Sequence, residues 1–422
     1  MPEYTCGIDF GTSNSAIAVA GPEAEPFLIK LENGSCTQPS TIFYEAGSAL
    51  PLFGEKAVAA YIDGREGRFM RSLKRVLGTE IMAAGTQING KTRKFENILA
   101  QYINHLKKQA EEQIGKPLRR VVMGRPVHFR DNDPQGDARA ENELKKIAGS
   151  IGFSDVLFQF EPIAAAFAHE AVLEREALAC VVDVGGGTSD FTIVRVGPRL
   201  AGKTDRKDDI LASAGVRVGG NDFDKSLSLR CFMPEFGYKT TYGPQNLFVP
   251  SSQYFELSEW SKVNAVYNHK NLKTVSEVLA GAHRPELYAR LKDILLRESG
   301  HRILNDVERT KIALTGCPQT ETVLDYIADA PKIRASRQEF EESIAADAEK
   351  IASSLAQCLT EACVEKEEIG LVILTGGSTE IPLIFQTVRN FFPQAAFSSG
   401  NKFSSVGLGL AYDSRRRFAD RG

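Results

Sequence analysis

Two stretches half a chain apart decide how this sequence is read. They are Gly7-Ile-Asp-Phe-Gly-Thr-Ser-Asn-Ser15, followed by the apolar residues 16–20, and Val181-Val-Asp-Val-Gly-Gly-Gly-Thr-Ser-Asp190, followed by 191–196. Each reads as an apolar strand, an acidic residue, a turn of glycine and hydroxyl residues, and a second strand. Glycine lets such a turn approach a ligand closely and adopt positive φ. The turn's amides and its Thr or Ser hydroxyls then donate to phosphate oxygens. An aspartate at the strand end faces the same place and suits Mg2+ held through water. Taken singly, either hairpin is an ordinary glycine turn. Taken together, Asp9 with Gly11-Thr12-Ser13 and Asp183 with Gly185-Gly186-Gly187-Thr188 read as two grips on one polyphosphate. The repetition suggests two lobes of like topology.

Outward from the hairpins, spacing predicts the other elements. Phe95, Ile98, Leu99, Tyr102, Ile103 and Leu106 recur at helical spacing, with Gly115 as a stop. Residues 140–151 predict a second helix. Glu161-Pro162 opens a third, with proline near the first helical position and an alanine-rich run at 164–168 behind it. Residues 119–126 (RRVVMGRP) and Leu371-Val-Ile-Leu374 read as buried strands. Residues 287–314 look helical throughout, as do 339–359. The stretch 231–281 holds the one tryptophan, Trp260, and shows no clean period; it reads as part of a lobe-capping subdomain. The basic Ser414-Arg-Arg-Arg417 reads as the solvated end of a last helix.

Length and composition set the bounds. A chain of 422 residues is too long for one ordinary core. A net charge of −3 gives no broad basic field, so no nucleic-acid partner is expected. Seven cysteines form no CxxC pair, which fits buried thiols in a reducing compartment rather than a disulfide framework or zinc site. The opening MPEYTCGIDFG lacks a basic segment and an apolar run, and no apolar stretch of about 18 residues occurs; no signal peptide, no membrane partner and a cytoplasmic address are expected.

Two more glycine loops precede helices: Gly219-Gly220-Asn-Asp-Phe-Asp224 and Gly376-Gly377-Ser378-Thr379. Alone they are weak signals, since glycine turns are common. In order, GIDFGTSNS, VVDVGGGTSDF, VGGNDFD and LTGGSTEIP resemble the phosphate-1, phosphate-2, connecting and adenosine motifs of the actin-like ATPase superfamily. The chain is most similar there to the nucleotide-binding domain of the heat-shock protein 70 (DnaK-type) family. Leu73-Lys-Arg-Val-Leu-Gly78 resembles that family's lysine motif. Gly124-Arg-Pro-Val-His-Phe129 with Glu161-Pro-Ile-Ala-Ala-Ala166 resembles its proline–glutamate switch, and Glu308-Arg-Thr-Lys311 its nucleoside-facing helix. The resemblance covers nearly the whole chain.

It implies an α/β actin-like ATPase (ribonuclease H-like) fold, with two lobes of mixed five-stranded sheets, flanking helices and a central nucleotide cleft. Lobe I would span 1–172 with an inserted subdomain at about 37–95. Lobe II would span 173–422 with an insert at about 219–335. The implied ligands are ATP or ADP and Mg2+. Gly11, Thr12, Ser13, Asn14, Gly185, Gly186, Gly187 and Thr188 would line the phosphates. Asp9 and Asp183 would hold Mg2+ through its waters. Lys74 would position the attacking water or the γ-phosphate, with Glu161 and Asp190 completing the network. Gly219, Gly220, Glu308, Lys311, Thr315, Gly376, Gly377 and Ser378 would lie near the nucleoside; on spacing alone Glu308 and Lys311 are an i,i+3 pair.

Several positions depart from the family pattern. Ile312 and Glu380 stand where the family has arginines that sandwich the adenine, Asn14 where it has an aromatic residue, and Phe403 where it has an acid near the base. The sequence also stops about 40 residues after the Gly376 loop, which leaves no room for a peptide-binding domain. The segment between Asp224 and Glu308 is longer than the family's. The nearest type is the truncated, YegD-like bacterial members. The expectation is therefore a chaperone-like, slowly hydrolysing ATPase. The alternatives are an actin-like filament protein, a sugar or acid kinase with Asp190 as its base, and a non-hydrolysing nucleotide sensor.

Overall fold

The computed structural model describes residues 3–21, 24–130, 133–170, 173–200, 202–398 and 405–419; Phe403 lies outside the described residues. By contact the chain divides into two compact units. One comprises Met1–Gly215, Ser354–Gly377 and Phe391–Gly422, the other Val216–Ser353 and Ser378–Asn390.

The first unit carries two mixed sheets. In one, the strand order is Asp155–Phe160, Arg120–Arg125, Thr5–Phe10, Asn14–Ala20, Phe27–Leu28, with Gln38–Pro39 also pairing onto Asn14–Ala20. Thr5–Phe10 runs antiparallel to Asn14–Ala20, Asp9 opposite Ala16, and parallel to Arg120–Arg125. In the other sheet, the order is Ile210–Val216, Ser189–Val196, Ala177–Val184, Ile369–Thr375, Ala396–Phe397. Asp183 faces Asp190 across the antiparallel pair and Thr375 across the parallel one. Each sheet thus centres on an antiparallel hairpin whose first strand has a parallel neighbour on its far side. These central strands are covered on both faces and so read as near-continuous apolar runs.

The helices form where the spacing placed them, with longer bounds. Phe95–Ile114 buries Ile98, Leu99, Tyr102, Ile103 and Leu106 against Cys6, Ile8 and Phe10, and Gly115 ends it in the left-handed conformation at φ 65°. Pro134–Ser150 starts earlier than 140 because Asp133 accepts from the Gly136 amide and Pro134 fills the first position. Glu161–Glu170 has two working faces: Ile163, Ala165 and Ala166 pack with Ala179, Val181 and Val194 of the second sheet, while Ala164 packs with Val122 of the first. Its alanines permit that double contact.

The last described helix, Ser405–Ala419, lies against the same strand and helix. A Cβ on Gly7 would sit 2.4 Å from the Ala411 nitrogen, and one on Gly409 1.9 Å from the Ala164 carbonyl oxygen. The basic residues at its end are not simply solvated, contrary to expectation. Arg416 and Arg417 both pair with the fully buried Asp413, at 2.6 and 2.9 Å, and donate to the carbonyls of Lys203 and Thr204. A buried carboxylate requires such partners.

In the second unit, the run expected at 287–314 is two helices, Pro285–Arg297 and Gly300–Gly316. Glu298 breaks it at φ 52°, and Gly300 donates to Tyr267 Oη at 2.8 Å, where any Cβ would collide. Residues 231–281 contain short pieces, including the hairpin Thr241–Tyr242/Leu247–Phe248 and the helices Ser252–Leu257 and His269–Leu279. All seven cysteines are free. Only Cys6, Cys180 and Cys358 are buried, so the expectation of buried thiols holds for three of them. No helix among the described residues is long and apolar enough to cross a membrane.

Candidate functional site

The first hairpin closes because of glycine. A Cβ on Gly11 would fall 2.1 Å from the Asn14 carbonyl oxygen. Ser40 secures the turn from outside it: its hydroxyl donates to the Gly11 carbonyl and its amide to the Ser13 carbonyl, both at 2.8 Å. Thr12 and Ser13 remain half-exposed and Asn14 exposed. In the second hairpin the Gly185 amide donates to the Thr188 carbonyl at 2.9 Å, and Thr188 Oγ1 donates to Asp190 Oδ2 at 2.9 Å. Gly185, Gly186 and Gly187 are half-exposed.

Gly376 serves this second hairpin. It has φ 80°, and a Cβ there would lie 2.4 Å from the Val184 carbonyl oxygen and 2.7 Å from Asp183 Oδ1. Only glycine permits both the backbone conformation and the approach. The preceding Thr375 hydrogen-bonds the Asp183 carboxylate.

Lys74 and Glu161 reach the same place from other elements. Lys74 sits on the single turn Leu73–Val76, entered through Ser72 at φ 57°. Its Nζ donates to Glu161 Oε1 at 2.6 Å, with both side chains largely buried. Glu161 is the first residue of its helix, where a carboxylate is favoured by the helix dipole.

Electrostatics bind the four residues into one site. Burial raises the Asp9 carboxyl well above the carboxylate range; Glu161 and Asp183 add to this and Lys74 opposes it. Burial, Asp190 and Glu161 push Asp183 up to about 7, against the Thr375 hydrogen bond and Lys74. Burial works against the charge of Lys74, but Glu161, Asp9 and Asp183 outweigh it and raise its ammonium. Three carboxylates around one ammonium leave negative charge uncompensated, and the raised Asp9 and Asp183 express that strain. A hydrated divalent cation fits such a donor set. Among the described residues no group of three or more His, Cys, Asp or Glu side chains is gathered for direct metal ligation.

The remaining sequence-predicted residues form a second set. The Gly219 amide donates to Asp222 Oδ2 at 3.0 Å, capping the helix Gly220–Leu227. Lys311 pairs with Asp224 Oδ1 at 2.8 Å and also reaches the Gly220 carbonyl at 3.4 Å. It therefore ties its helix to the connecting loop, and Glu308 is not its ion-pair partner. Glu308 is half-buried; Thr315 Oγ1 donates to the Ile312 carbonyl at 2.7 Å. Ile312 is 59% exposed. Gly377 and Ser378 begin the short turn Gly377–Glu380. Sequence reasoning passes over Ser40 and gives no role to Thr375 or Asp224, though both lie inside the quoted motifs. Only Asp224 carried a signal, as an acid at an apolar-facing position of the helix it sits on.

Comparison with known families adds to this geometry. The family model described as "Hsp70 protein" matches residues 5–244 and 291–415. The chain belongs to the Hsp70 family. Among Hsp70 relatives, the "Chaperone protein DnaK" of Thermosipho melanesiensis is 27% identical over 418 residues, covering 97% of this chain and 58% of the relative. Those of Thermotoga neapolitana and Mycoplasmopsis agalactiae are each 27% identical, over 421 and 419 residues, with 97% of this chain and 59% and 58% of the relatives covered. The chain thus spans less than two thirds of the length of these relatives. Hsp70 membership carries the actin-like ATPase fold, whose mixed sheets with flanking helices are those described above. The Hsp70 match passes over residues 245–290, among the short elements of the second unit.

Proposed function

We propose that this chain is a chaperone-like, Hsp70-type nucleotide-binding protein that takes ATP or ADP with Mg2+ and hydrolyses ATP slowly. The observation that carries the reading is the Lys74–Glu161 pair beside Asp9 and Asp183, with two glycine hairpins at the same aspartates. Phosphoryl transfer asks for positioning and charge neutralisation more than for covalent chemistry. Gly11, Thr12, Ser13, Gly185, Gly186, Gly187 and Thr188 would donate to the phosphate oxygens. Asp9 and Asp183 would hold the waters of Mg2+. That ion, when bound, supplies the neutralisation of phosphate charge. Lys74 would orient the attacking water, and Glu161 would hold Lys74 and accept from that water. Asp190 is held by Thr188 and would steady the second hairpin. By resemblance, Gly219, Gly220, Glu308, Lys311, Thr315, Gly376, Gly377 and Ser378 serve the nucleoside.

A cytoplasmic address and the lobes 1–172 and 173–422 belong to the same reading. The relatives' printed name supports a client or partner protein, of a kind these residues do not specify. One observation favours a second reading, a sensor that binds without turnover: Ile312, which by resemblance takes the position of a base-stacking arginine, is exposed. A thermal-shift panel of ATP, ADP, GTP and AMP with Mg2+, paired with a phosphate-release assay, tests both. ATP and ADP should raise the melting temperature by mass action, with slow phosphate release. A melt that no nucleotide shifts overturns the proposal; a shift without release selects the sensor.

A further inference from the structure

The helix Glu161–Glu170 ends on an ionic arrangement that the proposed mechanism does not use. Glu170, its last residue, and Arg206 have side chains with 0% exposure. Arg206 Nη1 donates to Glu170 Oε2 at 3.1 Å and Nη2 to Oε1 at 2.7 Å. The same guanidinium donates from Nε to Asp209 Oδ2 at 2.5 Å and from Nη2 to the Arg195 carbonyl at 3.0 Å. It also lies 5.7 Å from the centre of the Phe167 ring, while Arg416 lies 5.2 Å from that ring. Every partner is fixed: Arg195 in a central strand, Asp209 in a short turn, Arg416 by the buried Asp413.

The arrangement breaks two local rules. A carboxylate at a helix C-terminus opposes the dipole, and a fully buried one is costly to desolvate. An apolar pair of similar volume would serve stability as well or better. What a forked, bidentate pair supplies is direction. The helix has 10 residues, or about 15 Å of length. Its first residue is held by Lys74, its middle by the close approach of Gly409 to Ala164, and its last by Arg206. Rotation or sliding of so short a rod at one end moves the other.

We propose that the Arg206–Glu170 pair, braced by Asp209, is a positioning pair for the proposed ATPase reaction: it fixes the rotation and axial register of the helix and so sets Glu161 against Lys74. The proposal rests on the ATPase reading for its kinetic arm alone. Arg206 meets the second hairpin only at the Arg195 carbonyl, well along its second strand; neither Glu170 nor Arg206 touches a glycine turn, and they are not catalytic residues.

The test separates position from stability. The triple variant Glu170→Leu/Arg206→Met/Asp209→Asn, in which Asp209→Asn is added so that no buried carboxylate loses its partner, replaces the pair by uncharged groups and should fold with a melting temperature near that of the parent. Its single-turnover ATP hydrolysis should fall at least tenfold, while the Mg-ATP dissociation constant stays within about twofold. A purely structural pair would leave the rate intact once folding is intact, so parental hydrolysis in the folded triple variant overturns the proposal. Arg206→Lys, which keeps the charge but loses the fork, should be intermediate in rate. A second arm needs no nucleotide. Lys74→Met and the triple variant change sites at opposite ends of the helix, and separated sites ordinarily add. Non-additive urea unfolding energies support the coupling; strict additivity overturns it. Should the parent prove to have no ATPase activity, the functional reading falls and this arm still decides the positioning.

Discussion

Lys74 Nζ donates to Glu161 Oε1 at 2.6 Å, joining residues 87 positions apart in the chain. The pair is largely buried and its neighbours Asp9 and Asp183 are both acidic. Lys74→Ala therefore removes the one ammonium that offsets three carboxylates. ATP turnover should fall by about 100-fold or more, the range seen when one preorganised charge donor is lost. The fold should persist with a loss of about 1–3 kcal/mol, read from urea denaturation. Parental phosphate release from purified Lys74→Ala would remove Lys74 from the machinery.

Asp183 gives a pH dependence whose sign is opposite to the common one for carboxylates. Its folded value of about 7 lies above its ordinary 3.8, and Asp9 is raised as well. The folded state then binds more protons than the unfolded state between those values, so this contribution is full below pH 4 and is lost as pH rises toward 7. Metal-free protein should lose melting temperature by a few degrees across that window from this source. Because Mg2+ needs the ionised carboxylates, the thermal shift it produces should grow over the same interval. Melting curves with Mg2+ and with chelator, between pH 5 and 8, measure both; a Mg2+ shift that shrinks as pH rises contradicts the assignment.

Gly376 should tolerate no side chain. At φ 80°, with a new Cβ falling 2.7 Å from Asp183 Oδ1, Gly376→Ala costs about 1–3 kcal/mol of stability. It should also weaken the Mg-ATP thermal shift, since the carboxylate proposed to hold the ion is the group displaced. Gly34→Ala is the control: its φ is 75° but nothing lies within 4 Å of its Cβ, so strain without collision should leave the nucleotide shift intact.

Ile312 offers a gain of function. It is 59% exposed on the helix Gly300–Gly316, so Ile312→Arg should leave the melt of nucleotide-free protein unchanged. A guanidinium stacked on the adenine contributes about 0.5–1 kcal/mol, which is about two- to fivefold in ATP affinity. Titration calorimetry with ATP and with inorganic triphosphate checks it: only the base-bearing ligand should gain.

The parts of the site that sequence made legible are those whose chemistry is local. Gly11-Thr12-Ser13 and Gly185-Gly186-Gly187-Thr188 announce tight turns because glycine and hydroxyl residues do their work within a few positions. Pro162 and the alanines after it mark a helix start for the same reason. Lys74 and Glu161 were placed by resemblance to a family; no spacing in the sequence says that they touch. Ser40 carries no local mark at all, since a serine that ties back a hairpin looks like any loop serine. The break at Glu298 was hidden because apolar spacing continues across it, and what ends the helix is Tyr267 claiming the Gly300 amide. Glu170 could have been noticed: an acid at the negative end of an alanine-rich, core-facing helix is a local contradiction, and contradictions of that kind point to distant partners.

The contact of Ser405–Ala419 with Thr5–Phe10, through Gly7, has a consequence for synthesis. A ribosome makes the Asp9 hairpin well before this helix. Until residue 411 has emerged, the strand bearing Asp9 lacks the neighbour that its glycine was shaped to receive. A growing polypeptide that has laid down both hairpins but not residues 405–419 still lacks that packing against the Asp9 strand, so capture of the proposed ligand should wait for this helix.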